Sequence, residues 1–204
     1  MNKEFYQVGY DDEAFAKRLY PSFYHPEYTK TPYSKEILKP LREVVNFVRR
    51  KPDEDDGYYY SSLKSIDKEL DIISSGKKLI KYKDLPARGK HGTIIKQGDI
   101  LISSNVSQYT VIVIRDNVKR TVVSNSIIVI RPLEKISAEL LALIFNLDYV
   151  KKQVERYAYG SQIETISQKD LAEIKIPTPV SKQQIKRLEI KASEVYKEKH
   201  SIIE

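Results

Sequence analysis

The sequence contains no cysteine, which excludes disulfides, thiolate zinc sites and cysteine nucleophiles. It has no tryptophan and only seven glycines, too few for a glycine-rich cofactor cradle. Neither G-x-x-x-x-G-K-[ST] nor G-x-G-x-x-G occurs. No apolar run approaches the roughly 18 residues that a membrane-spanning helix needs. The first residues, MNKEFYQVGYDDEAF, lack the apolar stretch of a secretion signal, so the expected location is the cytoplasm. Histidine is scarce too. His25, His91 and His200 stand far apart, none in H-x-x-x-H or H-E-x-x-H spacing, and each reads as a surface or turn residue. No metal site and no cofactor are expected.

What is present is a chain of 204 residues, 41% hydrophobic, enough for one good-sized domain with an appendage or two small domains. The net charge of +7, from 35 basic and 28 acidic residues, favours an anionic partner. Fifteen tyrosines supply flat apolar faces with a hydroxyl, which suits wet, polar interfaces.

Residues 1–35 are rich in tyrosine and proline, and Pro21, Pro26 and Pro32 forbid a long helix there; a short helix is expected at 11–19. Pro40 breaks the apolar run 36–50, KPDEDDG (51–57) reads as a turn, and YYYSSLKSI (58–66) has strand propensity. GDILIS (98–103), TVIVIRD (110–116) and TVVSNSIIVIRP (121–132) read as three strands in an antiparallel meander. SAELLALIFNLDYVKKQVERYAYG (137–160) reads as one amphipathic helix, begun by Ser137 and ended by Gly160. Ser167 and Asp170 form a capping box for a short helix, and Ile174–Ile176 is a strand. Ser181 caps the last helix, in which Ile185, Leu188, Ala192, Val195 and Ile202 fit a heptad seam. Strands followed by helices indicate an α+β fold.

The chemistry-bearing signals are few. Pro52-Asp53 could open a metal-nuclease arrangement, but no (D/E)-x-K follows within thirty residues, and Glu173-Ile174-Lys175 lies far downstream. A charged turn is the favoured reading of 51–57, and Asp53 to Asp56 lack calcium-loop spacing. The basic stretch 77–96 says more: Lys77, Lys78, Lys81, Lys83, Arg88, Lys90 and Lys96 face a single acid, Asp84. Interleaved with Tyr82, Gly89, His91 and Gly92, it can neutralise phosphates, each adding a salt-dependent increment to affinity; the plain alternative is a solvated lysine-rich face. SSNVSQY (103–109) carries Asn and Gln side chains able to read adenine, or is simply a hairpin turn.

Taken in order, residues from about 94 to 190 resemble the target recognition domain of type I restriction-modification specificity subunits. The carrying elements are GDILIS, the segment from Ser124 to Arg131-Pro132, the helix ISAELLALIFNLDYVKKQVERYAYGS, and a spaced string. That string is Gly160-Ser161, Ile166-Ser167, Leu171, Ile174, Ile176-Pro177, Pro179 and Gln184. PLREVVNFVRRKP (40–52) looks like such a domain's usual opening, and YPSFYHPEY resembles linkers ahead of such domains in adenine-modifying enzymes. Two departures stand out. Gln183-Gln184 replaces the family's common Glu-Gln, and the N-terminal third matches poorly.

The resemblance implies a single α+β globular domain with a mostly antiparallel, strongly bent sheet and packed helices, followed by a long C-terminal spacer helix. The divisions expected are a linker or arm at 1–39, a DNA target recognition domain at 40–180 and a coiled-coil-like spacer at 181–204. It implies a non-catalytic module that reads double-stranded DNA for an adenine methyltransferase subunit or domain in a restriction complex. The basic residues of 77–96 would hold phosphates. Base or groove contacts are expected from Tyr58, Tyr60, Ser103, Asn105, Gln108, Tyr109, Ser161 and Gln162. Gly160, Pro177, Pro179 and Gln184 would form the joint that aims the spacer. With one domain and one spacer, the chain is expected to be a half-subunit that dimerises through its last helix, or a piece that needs a second recognition domain. A metal-dependent nuclease and a protein-interaction module acting through the last helix are the rival readings.

Overall fold

The run Ile100-Leu101-Ile102 has no polar alternation, so a strand made of it must be covered on both faces. The computed structural model, which describes residues 30–62, 66–67, 72–73, 78–115, 117–133, 136–179 and 181–201, places it in that situation. Strand β8 (Ile100–Ser103) is the inner strand of a sheet ordered β2-β11-β8-β9, with β2 Val45–Phe47, β9 Val111–Val113 and β11 Ile127–Pro132, all antiparallel. Ile100 and Ile102 point into the main core, and Leu101 into a second apolar cluster with Ile112, Ile114 and Val129.

Asp99, fully buried, accepts a hydrogen bond from Lys96 N (2.9 Å) and pairs with Arg131 on the neighbouring strand (Nε to Oδ1, 2.8 Å; Nη2 to Oδ2, 3.2 Å). The two signature segments, Gly98-Asp99 and Arg131-Pro132, are thus one ion pair across a strand boundary. Gly98 sits at φ +85°, a left-handed turn that suits glycine.

A second four-stranded sheet is ordered β6-β3-β10-β7, with β3 Gly57–Ser61, β6 Ile80–Lys81, β7 Thr93–Ile94 and β10 Thr121–Val123. The stretch 121–132 is therefore not one strand of a meander. It divides at Ser124–Ser126, where Ser124 Oγ meets Ser126 Oγ at 2.9 Å and Ile127 N donates to Ser124 O at 2.9 Å. β10 leaves for the second sheet and pairs parallel with β3, while β11 stays in the first. The chain thereby bends from one sheet to the next, within a fold that is α+β and mostly antiparallel. Strands β1 (Leu38–Pro40) and β12 (Lys175–Pro177) form a separate antiparallel pair, as do β4 (Ile66–Asp67) and β5 (Ile72–Ile73).

The expected single helix at 137–160 is two: α2 (Ala138–Phe145) and α3 (Asp148–Tyr157); α1 is the single turn Ala87–Lys90. The break has a local cause. Asn146 turns its side chain back, Nδ2 donating to Ala142 O (3.0 Å), and Leu147 adopts an extended conformation as the cap of α3. Ser137 caps α2 through Leu140 N as the sequence suggests. α4 (Gln168–Glu173) begins at Ser167, whose Oγ accepts from Asp170 N (3.1 Å) and donates to Asp170 Oδ2 (2.6 Å). Gln153, buried in α3, closes a two-bond ring on β12: its Nε2 donates to Lys175 O (2.7 Å) and its Oε1 accepts from Lys175 N (2.8 Å).

α5 (Lys182–Ser201) is 20 residues, about 30 Å long at 1.5 Å per residue. Ser181 caps it through Gln184 N (3.2 Å). The heptad seam is divided. Ala192 and Tyr196 are buried against the body and Glu189 Oε1 accepts from Ser137 N (2.9 Å), whereas Leu188 and Val195 are exposed. An unsupercoiled helix turns every 3.6 residues, so the stripe that docks runs through 189, 192 and 196. Among the described residues no helix is long and apolar enough to cross a membrane. The helix expected at 11–19, most of the tyrosine-rich arm, Lys77, Asp116 and Ile202 lie outside the described residues.

Candidate nucleic-acid interface

The basic stretch spreads over several short elements. Lys81 ends β6, Lys83 lies in a 3₁₀ turn, and Arg88 and Lys90 ride on α1. Lys78, Lys81, Lys83 and Arg88 are exposed; Lys90 is half-buried with its ammonium 5.8 Å from the centre of the Tyr82 ring. Lys96 is not gathered with them. It lines a separate cleft with Arg115, Arg131 and Glu139.

The residues expected to read bases divide sharply. Tyr58 is 2% exposed, and its hydroxyl accepts from Asp53 N at 2.6 Å. Ser103 is 2% exposed, with its Oγ donating to Asn105 O (3.0 Å) and accepting from Asn105 N (3.1 Å). Tyr109 donates inward to Phe145 O (3.1 Å), and burial raises its hydroxyl well above the usual tyrosine range. These three are corrections: their polar atoms are bonded within the body, because core packing claims them. Tyr60 is half-buried, its ring close against Gly89 of α1. Gln108, Ser161 and Gln162 are exposed, and Asn105 is partly so. Asn105 Oδ1 is buried with no hydrogen-bond partner among the described residues.

Gly160, at φ +126°, turns the chain into a tight loop in which any Cβ would overlap the Ile163 carbonyl oxygen. Tyr159 and Thr165 close this loop with two backbone bonds (2.9 and 2.8 Å), and Val106 N donates to Glu164 O (2.9 Å). The loops 105–109 and 160–164 are therefore joined side by side, with Gln108, Ser161 and Gln162 outward. The joint residues Pro177 and Pro179 continue from β12, where Thr178 N and Oγ1 both donate to Ile37 O (2.8 and 3.0 Å).

Beside these loops lies a groove of about 400 Å³. Arg49, Lys51, His91, Asn125, Ser167 and Gln168 are among its lining residues, and no carboxylate is. From the sequence, His91 enters only as part of the basic stretch and Ser167 only as a helix cap; the six come from four distant segments and share no spacing. Glu173, offered with Asp53 for a nuclease, pairs instead with Arg42 at 2.5 Å. Among the described residues no three acids or histidines gather closely enough to hold a metal ion.

A family model described as the type I restriction modification DNA specificity domain matches residues 39–190. No curated protein is similar enough in sequence to count as a match. Among solved structures, one chain from a study of complex assembly and conformational transition of the type I R-M system is 20% identical, with a TM-score of 0.64 over 76% of this chain and 40% of that one. The HsdS subunit from Thermoanaerobacter tengcongensis is 19% identical, with a TM-score of 0.60 over 82% of this chain and 43% of its own. The chain thus spans about two fifths of the length of the structures it matches.

Proposed function

This chain belongs to the type I restriction-modification DNA specificity domain family, and on that premise we propose that it directs an adenine-methylating restriction complex to its target by reading double-stranded DNA. The family's role is specificity, so catalysis belongs to partner chains or domains. The observation that carries the reading is the family match across residues 39–190, joined by an exposed basic surface and two linked polar loops. Lys78, Lys81, Lys83, Arg88 and Lys90 hold phosphates and set register. Gln108, Ser161, Gln162 and Asn105 are the remaining candidates for base edges. Residues 40–180 act as the recognition domain, 1–39 as an arm and 181–204 as the spacer. Leu188 and Val195, exposed one heptad apart, are the surface through which the last helix pairs with a second recognition domain or a second copy. The adenine itself is flipped and modified by the methyltransferase partner, and the complex works in the cytoplasm.

The test is fluorescence anisotropy with randomised duplexes at two salt concentrations, using the whole chain. Binding that weakens steeply with salt is expected, with a sequence motif recovered by selection; no binding to any duplex at low salt would remove the reading. The double variant Lys81→Ala/Lys83→Ala should weaken binding for every sequence and flatten the slope of log K against log salt by about 1–2.

A further inference from the structure

Arg49 and Gln168 are 119 residues apart in the chain, yet Arg49 Nε donates to Gln168 Oε1 at 2.6 Å. An amide oxygen orients a guanidinium without cancelling its charge, as a carboxylate would. The two terminal nitrogens of Arg49 have no partner among the described residues, and Arg49 lines the groove with Lys51 and His91. A planar fork held this way meets a phosphate bidentately with little rotamer entropy left to lose.

The surroundings fix the geometry. Gln168 is the first residue of α4, held by the Ser167 cap and by Ile166, which is 2% exposed. On another wall, Asn125 N donates to Arg88 O (3.1 Å), drawing α1 toward the serine turn. Gly92 lets the end of α1 press on β10, since a Cβ there would overlap Val123 O. Asp170, two residues beyond Gln168, accepts a hydrogen bond from the Ser167 hydroxyl at 2.6 Å.

Concavity decides what enters. Phosphates protrude from a duplex, whereas base edges are recessed and are reached by protruding loops. We infer that this groove seats the phosphodiester backbone of one DNA strand, with Arg49 as the phosphate fork, Lys51 and His91 beside it, and Gln168 as the residue that aims Arg49. The inference rests on the DNA-recognition reading and adds a clamp outside the basic stretch. The clamp is tied to the reading loops: Ile166 N donates to Ser104 O (2.9 Å), one residue before the 105–109 loop begins and two residues after the 160–164 loop ends. Seating a phosphate here therefore sets the register of Gln108 and Gln162 on the bases.

The experiment measures DNA binding of the whole chain and of Arg49→Ala, Arg49→Glu, Lys51→Ala, Gln168→Ala and Arg49→Ala/Gln168→Ala, across a salt series, with the bound motif recovered by selection. Arg49→Ala should bind roughly tenfold more weakly to every duplex, with the salt slope shallower by about 1 and the motif unchanged. Arg49→Glu should lose more. Gln168→Ala should lose about threefold alone and nothing further in the Arg49→Ala background, with unchanged thermal stability. Wild-type affinity and slope in Arg49→Ala would overturn the clamp, and so would a motif that changes at one base, which would make Arg49 a base reader. If the parent protein binds no duplex, the DNA reading itself falls and takes the clamp with it; motif-specific binding by an unaffected Arg49→Ala variant sinks the clamp alone.

Discussion

The two four-stranded sheets share the run 121–132 but are held in different ways. In the first, Ile100, Leu101 and Ile102 are all at most 1% exposed, apolar clusters cover both faces, and the Asp99–Arg131 pair locks two strands. In the second, Tyr58, Leu85 and Val122 form a small cluster with Tyr60, Tyr82 and Ile80 half-covered around it, Val123 joins the cluster under the first sheet, and Lys81 stands exposed on the outer strand. Burial on both faces leaves no room to vary a residue without disturbing the core. A sheet anchored by a few aromatics leaves its outer surface available for charge. The first sheet is a frame that carries the 105–109 loop between β8 and β9, and the second leaves a charged outer surface.

The sharpest way to break this contrast is at the frame's ion pair. Asp99→Ala leaves the Arg131 guanidinium without its carboxylate and Lys96 N without an acceptor. Arg131 is partly exposed and regains some hydration, so the cost should be about 3 kcal/mol, or on the order of 10 °C in Tm. Thermal melts check the magnitude, and amide exchange checks the location. Amides of β8 and β11 should lose protection more than those of β3. Equal loss in both sheets would mean that Val123, packed with Leu101 and Val129, couples the second sheet fully to the frame.

A smaller effect is expected at the closure of the domain. Gln153→Ala removes both bonds to Lys175 and leaves a strand N–H and C=O unpaired in a part-buried setting, at a cost of about 2 kcal/mol. Urea denaturation with an unchanged m-value would check it. A neutral result would show that solvent reaches β12 and that the frame ends before the joint.

Much of the frame was legible because apolar runs and capping residues act locally. Ile100 to Ile102, Ser137, Ser167 and Ser181 can each be read from a few neighbours. The break at Asn146-Leu147 was not, since both flanking segments carry the same helical apolar period and the turn depends on one side-chain bond to Ala142. The division of 121–132 was hidden for a related reason: Ser124–Ser126 looks like polar strand residues until two different sheets compete for the flanks. The groove was the least legible part. Arg49, His91, Asn125 and Gln168 come from segments whose meeting depends on the whole topology, and only Gly92 marks the close approach. Tyr58 and Ser103 misled in the opposite direction, because residue chemistry suits them to bases while Tyr58 lies on the inward face of β3 and Ser103 on a strand covered on both faces.

Tyr58 also supplies the finest test of the contrast between the sheets. Tyr58→Phe keeps the buried ring and deletes only the hydroxyl that accepts from Asp53 N. The expected cost is about 1 kcal/mol, since the freed N–H lies in an exposed turn where water can replace the lost partner. DNA affinity and the selected motif should be unchanged, because the hydroxyl faces the 53–56 turn rather than the loops at 105–109 and 160–164. Anisotropy on the selected duplex, beside a melt of the same sample, separates the two outcomes. A stability loss with intact binding keeps Tyr58 as an anchor of the second sheet. A changed motif with intact stability would turn that sheet's core residue into a reader, and the division between anchor and reading surface would have to be redrawn through β3.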